Sequence, residues 1–81
     1  MNVHVKLFAM AREIAGVDQI DLTLTDSATT SEVFSALSSK YPGMMPWKEH
    51  CRIAVNHEYV GADHPLQDGD EVAVIPPVSG G

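Results

Sequence analysis

The N-terminal part of the chain contains two segments in which apolar and polar side chains alternate. Residues 3–7 and residues 20–24 each place three aliphatic side chains on one face and polar side chains on the other. Alternation of this kind is typical of a half-buried strand. The stretch between them, Met10–Ala15, predicts a short helical turn that ends at Gly16. A connection this short favours antiparallel pairing of the two strands.

The spacing of apolar residues then becomes helical. A single apolar stripe predicts one main helix, and its members are Val33, Phe34, Leu37 and Tyr41. Thr29 and Glu32 fit a capping box, in which each side chain satisfies a free amide of the first turn. Pro42 and Gly43 end the helix, because a residue that precedes proline avoids helical geometry.

Residues 42–50 form a connector that contains two prolines. We expect its large apolar side chains to cover an edge of the core, in preference to forming a ligand site. These side chains belong to Met44, Met45 and Trp47.

The period of two returns in the C-terminal half. Residues 51–55 predict a strand and residues 58–60 a short return strand, joined by a tight turn at Asn56-His57. The inward-facing pair of the first of these strands is Ile53 and Val55. The last apolar run, residues 72–75, does not alternate, which predicts burial on both faces and therefore a strand inside the sheet.

The predicted order of elements is β, β, α, β, short β, β. One main helix packs on one face of a mixed sheet, which gives an α+β domain of two layers. A length of 81 residues leaves room for one domain. We expect that domain to span residues 1–75 and to be followed by a flexible C-terminal tail, residues 76–81.

Charge excludes some classes of partner. The chain has a net charge of −6, and no Lys or Arg follows Arg52. A surface of this sign repels phosphate backbones, which argues against nucleic-acid binding. The acidity either attracts a basic protein partner or only keeps a small domain soluble. No apolar run approaches the length of about 20 residues that spans a bilayer, so we expect no membrane association.

The cysteine and the histidines of this sequence match no pattern that is typical of a catalytic or metal site. A single cysteine, Cys51, fits a reducing compartment, and we expect a cytoplasmic protein in which Cys51 is a small core residue. His50, His57 and His64 lie near it in sequence, but their spacing matches no zinc motif. We therefore expect neither a metal site nor a cofactor bound by this chain.

The end of the sequence is the most informative segment. The last predicted strand is followed by Pro76-Pro77-Val78-Ser79-Gly80-Gly81. Prolines stop sheet pairing and favour an extended exit, while glycines let a backbone pass where a Cβ would collide. Six residues reach at most about 20 Å. The composition favours a tail that carries a C-terminal carboxyl group into a narrow channel of another protein.

Three sets of residues together resemble a known family. They are Leu7-Phe8-Ala9-Met10-Ala11-Arg12-Glu13 with Gly16, then Ala54-Val55-Asn56, and Leu66 with Asp68-Gly69-Asp70-Glu71-Val72-Ala73 and Pro76-Pro77-Val78-Ser79-Gly80-Gly81. With these residues the sequence is similar to the ubiquitin-like β-grasp family and, within it, to the small sulfur-carrying subunits of molybdopterin synthase. The resemblance spans the whole length, and aromatic residues also occur in relatives where this chain has Ile75.

The resemblance implies a specific chemistry at Gly81. An ATP-dependent adenylating partner, using ATP with Mg, would convert its carboxylate to an acyl-adenylate. Sulfur would then replace AMP and leave a C-terminal thiocarboxylate, which donates sulfur to cyclic pyranopterin monophosphate to build the molybdopterin dithiolene. The tail residues Pro76 to Gly80 would enter the large subunit of a heterotetramer of two small and two large subunits. That large subunit would supply the catalytic side chains, so this chain would be a carrier.

A partner surface is predicted at the base of the tail. Phe8 ends the first strand and Ile75 ends the last one. If the two strands are neighbours, these side chains form one apolar patch, which is the usual centre of a protein interface.

Two other functions remain open at this point. One is a sulfur carrier for a different pathway, such as thiamine or thiolated-RNA synthesis, because the tail chemistry is shared. The other is a ubiquitin-type modifier whose Gly81 becomes linked to lysines of target proteins.

Overall fold

The computed structural model describes residues 1–77. Within that range the chain forms five strands and two α-helices, together with one 3₁₀ helix. Their bounds are β1 Asn2–Leu7, α1 Ala9–Ala15, β2 Gln19–Thr23, α2 Thr30–Lys40, the 3₁₀ helix Pro42–Trp47, β3 Arg52–Val55, β4 Glu58–Val60 and β5 Glu71–Ile75.

The five strands form one mixed sheet in the order β2-β1-β5-β3-β4. β1 pairs antiparallel with β2 and parallel with β5, while β3 pairs antiparallel with both β5 and β4. The predicted antiparallel pairing of the first two strands is therefore confirmed. β5 lies in the middle of the sheet, as its apolar run predicted.

The prediction that both faces of β5 are buried is confirmed for one face only. Val72 and Val74 are fully buried against the core, but Ala73 and Ile75 on the opposite face of β5 are only half-buried. Small and aliphatic side chains on that outer face leave the centre of the sheet accessible. The continuous apolar run of β5 therefore has one fully buried face and one half-buried face.

Helix α2 packs across the inner face of the sheet and closes the core. Its predicted capping box forms, and the Thr29 N–H donates to Glu32 Oε2 at 2.8 Å. Thr30 is the one buried polar side chain among residues 1–77, and its hydroxyl donates to the Gly61 carbonyl. The buried core consists of Val3, Val5, Leu7, Ala11, Val33, Phe34, Leu37, Met44, Val55, Leu66, Val72 and Val74.

The connector after α2 buries one of its two methionines. Residues 42–47 form a 3₁₀ helix that buries Met44, but Met45 has 63% of its surface exposed. Consecutive residues of such a helix point about a third of a turn apart, so only one of the two methionines can face the core. The expectation that Met45 covers the core is wrong.

The β3–β4 hairpin turns where the sequence predicted. Asn56 and His57 both have positive φ, 51° and 74°, which is the geometry of a type I′ turn. The Asn56 side chain donates to Asp70 Oδ1 and accepts from the Glu71 N–H, both at 3.0 Å. This asparagine therefore links the hairpin to the start of β5.

Glu71 couples the stability of the sheet to pH. Its carboxylate lies 3.0 Å from Lys6 Nζ and 3.4 Å from His57 Nε2. The hydrogen bond and charge of Lys6, aided by His57 and His4, lower the pKa of Glu71 below its ordinary value of 4.5. A depressed folded-state pKa stabilises the fold above the unfolded-state pKa, and this stabilisation is lost as pH falls through the folded-state pKa.

We therefore expect Glu71→Gln to reduce the acid sensitivity of folding. Urea unfolding should show a stability difference between wild type and variant at neutral pH that shrinks below about pH 4.5. Glu58→Gln is the matched control, because Glu58 is exposed on β4 and forms no ion pair with residues 1–77. A difference that stays constant from neutral to acid pH would contradict this role for Glu71.

Candidate functional site

The base of the tail lies at the end of the sheet where β1 and β5 both finish, which we call this edge of the sheet. Because β1 and β5 are parallel, their carboxyl ends meet at this edge, where Leu7 is the register partner of Val74. Phe8 and Ile75 each follow these paired residues. The condition set for the predicted patch, that the two strands are neighbours, is therefore met.

An open groove of about 920 Å³ lies at this edge, and its walls are mainly apolar. We call it the tail-base groove. Phe8 remains 44% exposed in it, although the side chain is large and aromatic. The groove is lined by Phe8, Ala9, Met10, Glu13, Trp47, Ile75, Pro76 and Pro77.

An unusual backbone conformation follows Phe8. Phe8 itself is extended, with φ −122° and ψ 155°, and is the N-cap of α1. Ala9 has φ +50°, a left-handed conformation that few residues other than glycine adopt. The chain thus turns sharply from β1 into α1 between these two residues. Conformations of this kind are often retained where a binding surface requires them.

Part of the tail-base groove was predictable from the sequence. Phe8 and Ile75 were predicted to form one patch at the base of the tail, whereas Trp47 was predicted to cover an edge of the core. Trp47 instead lies in the groove wall and makes an edge-on contact with His50, with ring centroids 6.1 Å apart. Trp47 is half-buried, and no local signal in the sequence separates a tryptophan that covers a core from one that lines a groove.

Charge is distributed unevenly between the two ends of the sheet. The Asp68–Asp70 turn lies at the end opposite the groove, where the Asn2 N–H donates to Asp68 Oδ1 at 2.7 Å. At the groove end, Arg52 is the register partner of Ile75. Linear sequence suggested one acidic half, whereas the fold places much of that acidity away from the tail base.

Comparison with known proteins identifies the family. The model of the ThiS family matches residues 5–81. The chain belongs to the ThiS family.

A relative within this family gives a closer description. The molybdopterin synthase sulfur carrier subunit of Chlamydomonas reinhardtii is 40% identical over 83 residues, covering all of both chains. This likeness confirms the resemblance to sulfur carrier subunits.

Solved structures agree on the fold of this ThiS-family chain. Small archaeal modifier protein 1 of Haloferax volcanii superimposes with a TM-score of 0.87 at 26% identity, covering 95% of this chain and 98% of that one. A complex of subunits 1 and 2 of molybdopterin-converting factor from Helicobacter pylori contains a chain with TM-score 0.68 and 28% identity, with both chains covered fully. The fold is a ubiquitin-like β-grasp, as predicted.

The tail-base groove of this ThiS-family chain offers mainly apolar contact surface. Its walls are aromatic, aliphatic and proline carbon, and Glu13 is the one titratable side chain among the residues that line it. Within residues 1–77, no group of three His, Cys, Asp or Glu residues could hold a metal ion. Within the same range, no helix is long and apolar enough to cross a membrane.

Cys51 is a poor nucleophile in this environment. It precedes β3, is half-buried and packs against the core, as its interpretation as a small core residue predicted. Burial raises the pKa of the Cys51 thiol, which disfavours the reactive thiolate.

The remaining predicted site residues lie outside the described part of the chain. These are Val78, Ser79, Gly80 and Gly81. Pro76 and Pro77 are described, and both belong to the wall of the groove.

Proposed function

We propose that this chain is the sulfur carrier subunit of molybdopterin synthase and that Gly81 carries the sulfur as a C-terminal thiocarboxylate. The observation that carries the proposal is the full-length relationship to a sulfur carrier subunit of this enzyme. The tail-base groove supports it, because an apolar binding surface surrounds the point from which residues 76–81 continue.

Carboxylate chemistry explains why such a carrier needs an activating partner. A carboxylate is a poor electrophile until one of its oxygens becomes part of a good leaving group. An ATP-dependent enzyme, with Mg, would form the Gly81 acyl-adenylate, and sulfur would then displace AMP. The resulting thiocarboxylate presents an ionised sulfur nucleophile at neutral pH, suited to transfer to cyclic pyranopterin monophosphate.

The large subunit of molybdopterin synthase is the proposed occupant of the tail-base groove. The Helicobacter pylori neighbour was solved as a complex of subunits 1 and 2 of molybdopterin-converting factor, which supports a partner of this kind. Phe8 and Ile75 would form the centre of the contact, in an assembly of two small and two large subunits. Pro76 and Pro77 would direct Val78, Ser79 and Gly80 into the partner's channel.

Catalytic side chains are assigned to the large subunit. The groove supplies contact surface, and the Cys51 thiol is held in its less reactive form. This chain would therefore act as a carrier and co-substrate in the cytoplasm, and ATP would be consumed by the activating partner.

Protein modification is the second candidate function. The observation that favours it is the superposition on small archaeal modifier protein 1. The two functions share adenylation of a terminal glycine and differ in the acceptor of the activated carboxyl group, which is sulfur in one case and a lysine amine in the other.

Mass spectrometry of the chain from its native host distinguishes the two functions. We expect an intact mass increased by the replacement of one oxygen with sulfur, localised to Gly81 by fragmentation, and co-purification with a large subunit. Higher-mass conjugates that contain Gly81 linked to lysine, without a thiocarboxylate form, would favour the modifier. Sulfur localised to Cys51 would contradict both functions.

A further inference from the structure

We propose that Arg52 binds a carboxylate of the large subunit beside the tail-base groove and so helps to select that partner. The inference rests on the proposed function and adds the chemistry of the partner surface. It predicts that the large subunit carries an acidic side chain at the rim of the apolar area that contacts Phe8 and Ile75.

The sheet places Arg52 next to the tail base. Arg52 is the first residue of β3 and the register partner of Ile75, the last residue of β5. Ile75 lines the groove, and Arg52 is exposed. A partner that covers Ile75 therefore comes within reach of the Arg52 side chain.

Tyr59 holds the arginine in position. The guanidinium carbon of Arg52 lies 4.0 Å from the centroid of the Tyr59 ring, within the range of a cation–π interaction. Tyr59 pairs with Ala54 across the hairpin, and Arg52 lies two residues before Ala54 on the same face of β3. The side chains of Arg52 and Tyr59 are therefore diagonal neighbours on the outer face of the sheet. A guanidinium on an aromatic face is partly ordered in advance, which lowers the entropy lost when it binds a carboxylate.

The N–H donors of Arg52 have no carboxylate partner among residues 1–77. Lys6, by contrast, is occupied by Glu71 at 3.0 Å. A planar guanidinium can bind a carboxylate through two parallel hydrogen bonds, so a free one at an interface is suited to an acidic side chain.

The surrounding charge makes this contact selective. The whole chain carries a net charge of −6, so an acidic partner surface is repelled over much of its surface. Attraction at Arg52 would therefore favour one orientation, with the partner's carboxylate above β3 and its apolar area over the groove. Charge complementarity at an interface rim acts mainly on specificity and association rate.

The test compares three single variants in titrations with the purified large subunit from the same genome. Arg52→Glu reverses the charge, and Arg52→Lys keeps the charge but removes the planar fork. Lys40→Glu is the matched control, because it makes the same change in charge at the end of α2, where Lys40 lies 5.9 Å from the Tyr41 ring and outside the groove lining. Melting curves of all three establish that each is folded.

We expect Arg52→Glu to weaken binding about tenfold and Arg52→Lys about threefold, since the ammonium replaces charge but not geometry. Lys40→Glu should change binding by less than about twofold, and added salt should reduce the Arg52 effect. A Glu or Asp→Lys change on the large subunit should restore binding of Arg52→Glu.

Two outcomes would overturn the role of Arg52. One is an equal loss of binding in Arg52→Glu and Lys40→Glu, and the other is full binding by Arg52→Glu. If wild type itself fails to bind the large subunit, the proposed function fails. If wild type binds and Arg52→Glu binds equally well, only the role of Arg52 fails.

Discussion

Deletion of Gly81 is expected to abolish both adenylation and sulfur transfer while leaving the melting curve unchanged. The reacting carboxyl group would move to Gly80 and fall short by up to about 3.3 Å. A misplacement of only about 1 Å can cost on the order of 100-fold in rate. Stability should persist because the buried core lies between Val3 and Val74. Assays with the purified activating enzyme and large subunit, together with calorimetric melting, measure both quantities.

Two further variants define the role of Gly81. Addition of one residue after Gly81 should be as damaging as the deletion, because the carboxyl group would then overshoot its activating site. Cys51→Ser is the control for sulfur chemistry elsewhere in the chain, and it should retain carrier activity apart from any loss of stability. Sulfur uptake that survives the Gly81 deletion and is lost in Cys51→Ser would place the sulfur on the thiol and refute the proposal.

Phe8→Ala is expected to weaken binding of the large subunit by roughly 1–3 kcal/mol. Phe8 lies beside Ile75 in the tail-base groove and is 44% exposed in the free chain, so it can bury additional surface when a partner binds. The fold should tolerate the change, because Phe8 is 44% exposed and lies outside the buried core. Titration calorimetry with the large subunit measures the loss.

Met45→Ala is the matched control for this prediction. Met45 is also a large exposed apolar residue, at 63%, but it does not line the groove. Its truncation should therefore leave binding unchanged. Equal losses from Phe8→Ala and Met45→Ala would indicate that the contact surface lies elsewhere.

Several parts of the fold could be predicted because their causes are local. The capping box of Thr29 and Glu32 requires only three residues of separation, and the turn at Asn56-His57 only two residues that accept positive φ. The apolar face that α2 buries against the core follows from apolar residues repeated at helical spacing. Such patterns involve residues that are close together in the sequence. They can therefore be recognised without knowing which other helices and strands pack against them.

The composition of the candidate site could be predicted only in part. Phe8 and Ile75 are 67 positions apart in the sequence, and the parallel pairing of β1 with β5 brings them together. Their positions at the ends of the first and last strands marked them as candidates, on the condition that these two strands are neighbours. Trp47 was predicted to cover an edge of the core, because nothing local distinguishes an aromatic residue that covers a core from one that lines a groove.

The sequence by itself determined the alternating strands, the capped main helix, the hairpin turn and the proline-glycine composition after Ile75. These features depend on side-chain periodicity and on the conformational limits of Asn, Pro and Gly. Only the tertiary structure decided that Met44 is buried while Met45 is exposed, and that Arg52 lies over Tyr59 beside the tail base. Those outcomes depend on which strands pair and which faces meet, and pairing between distant segments is set by burial of the whole core.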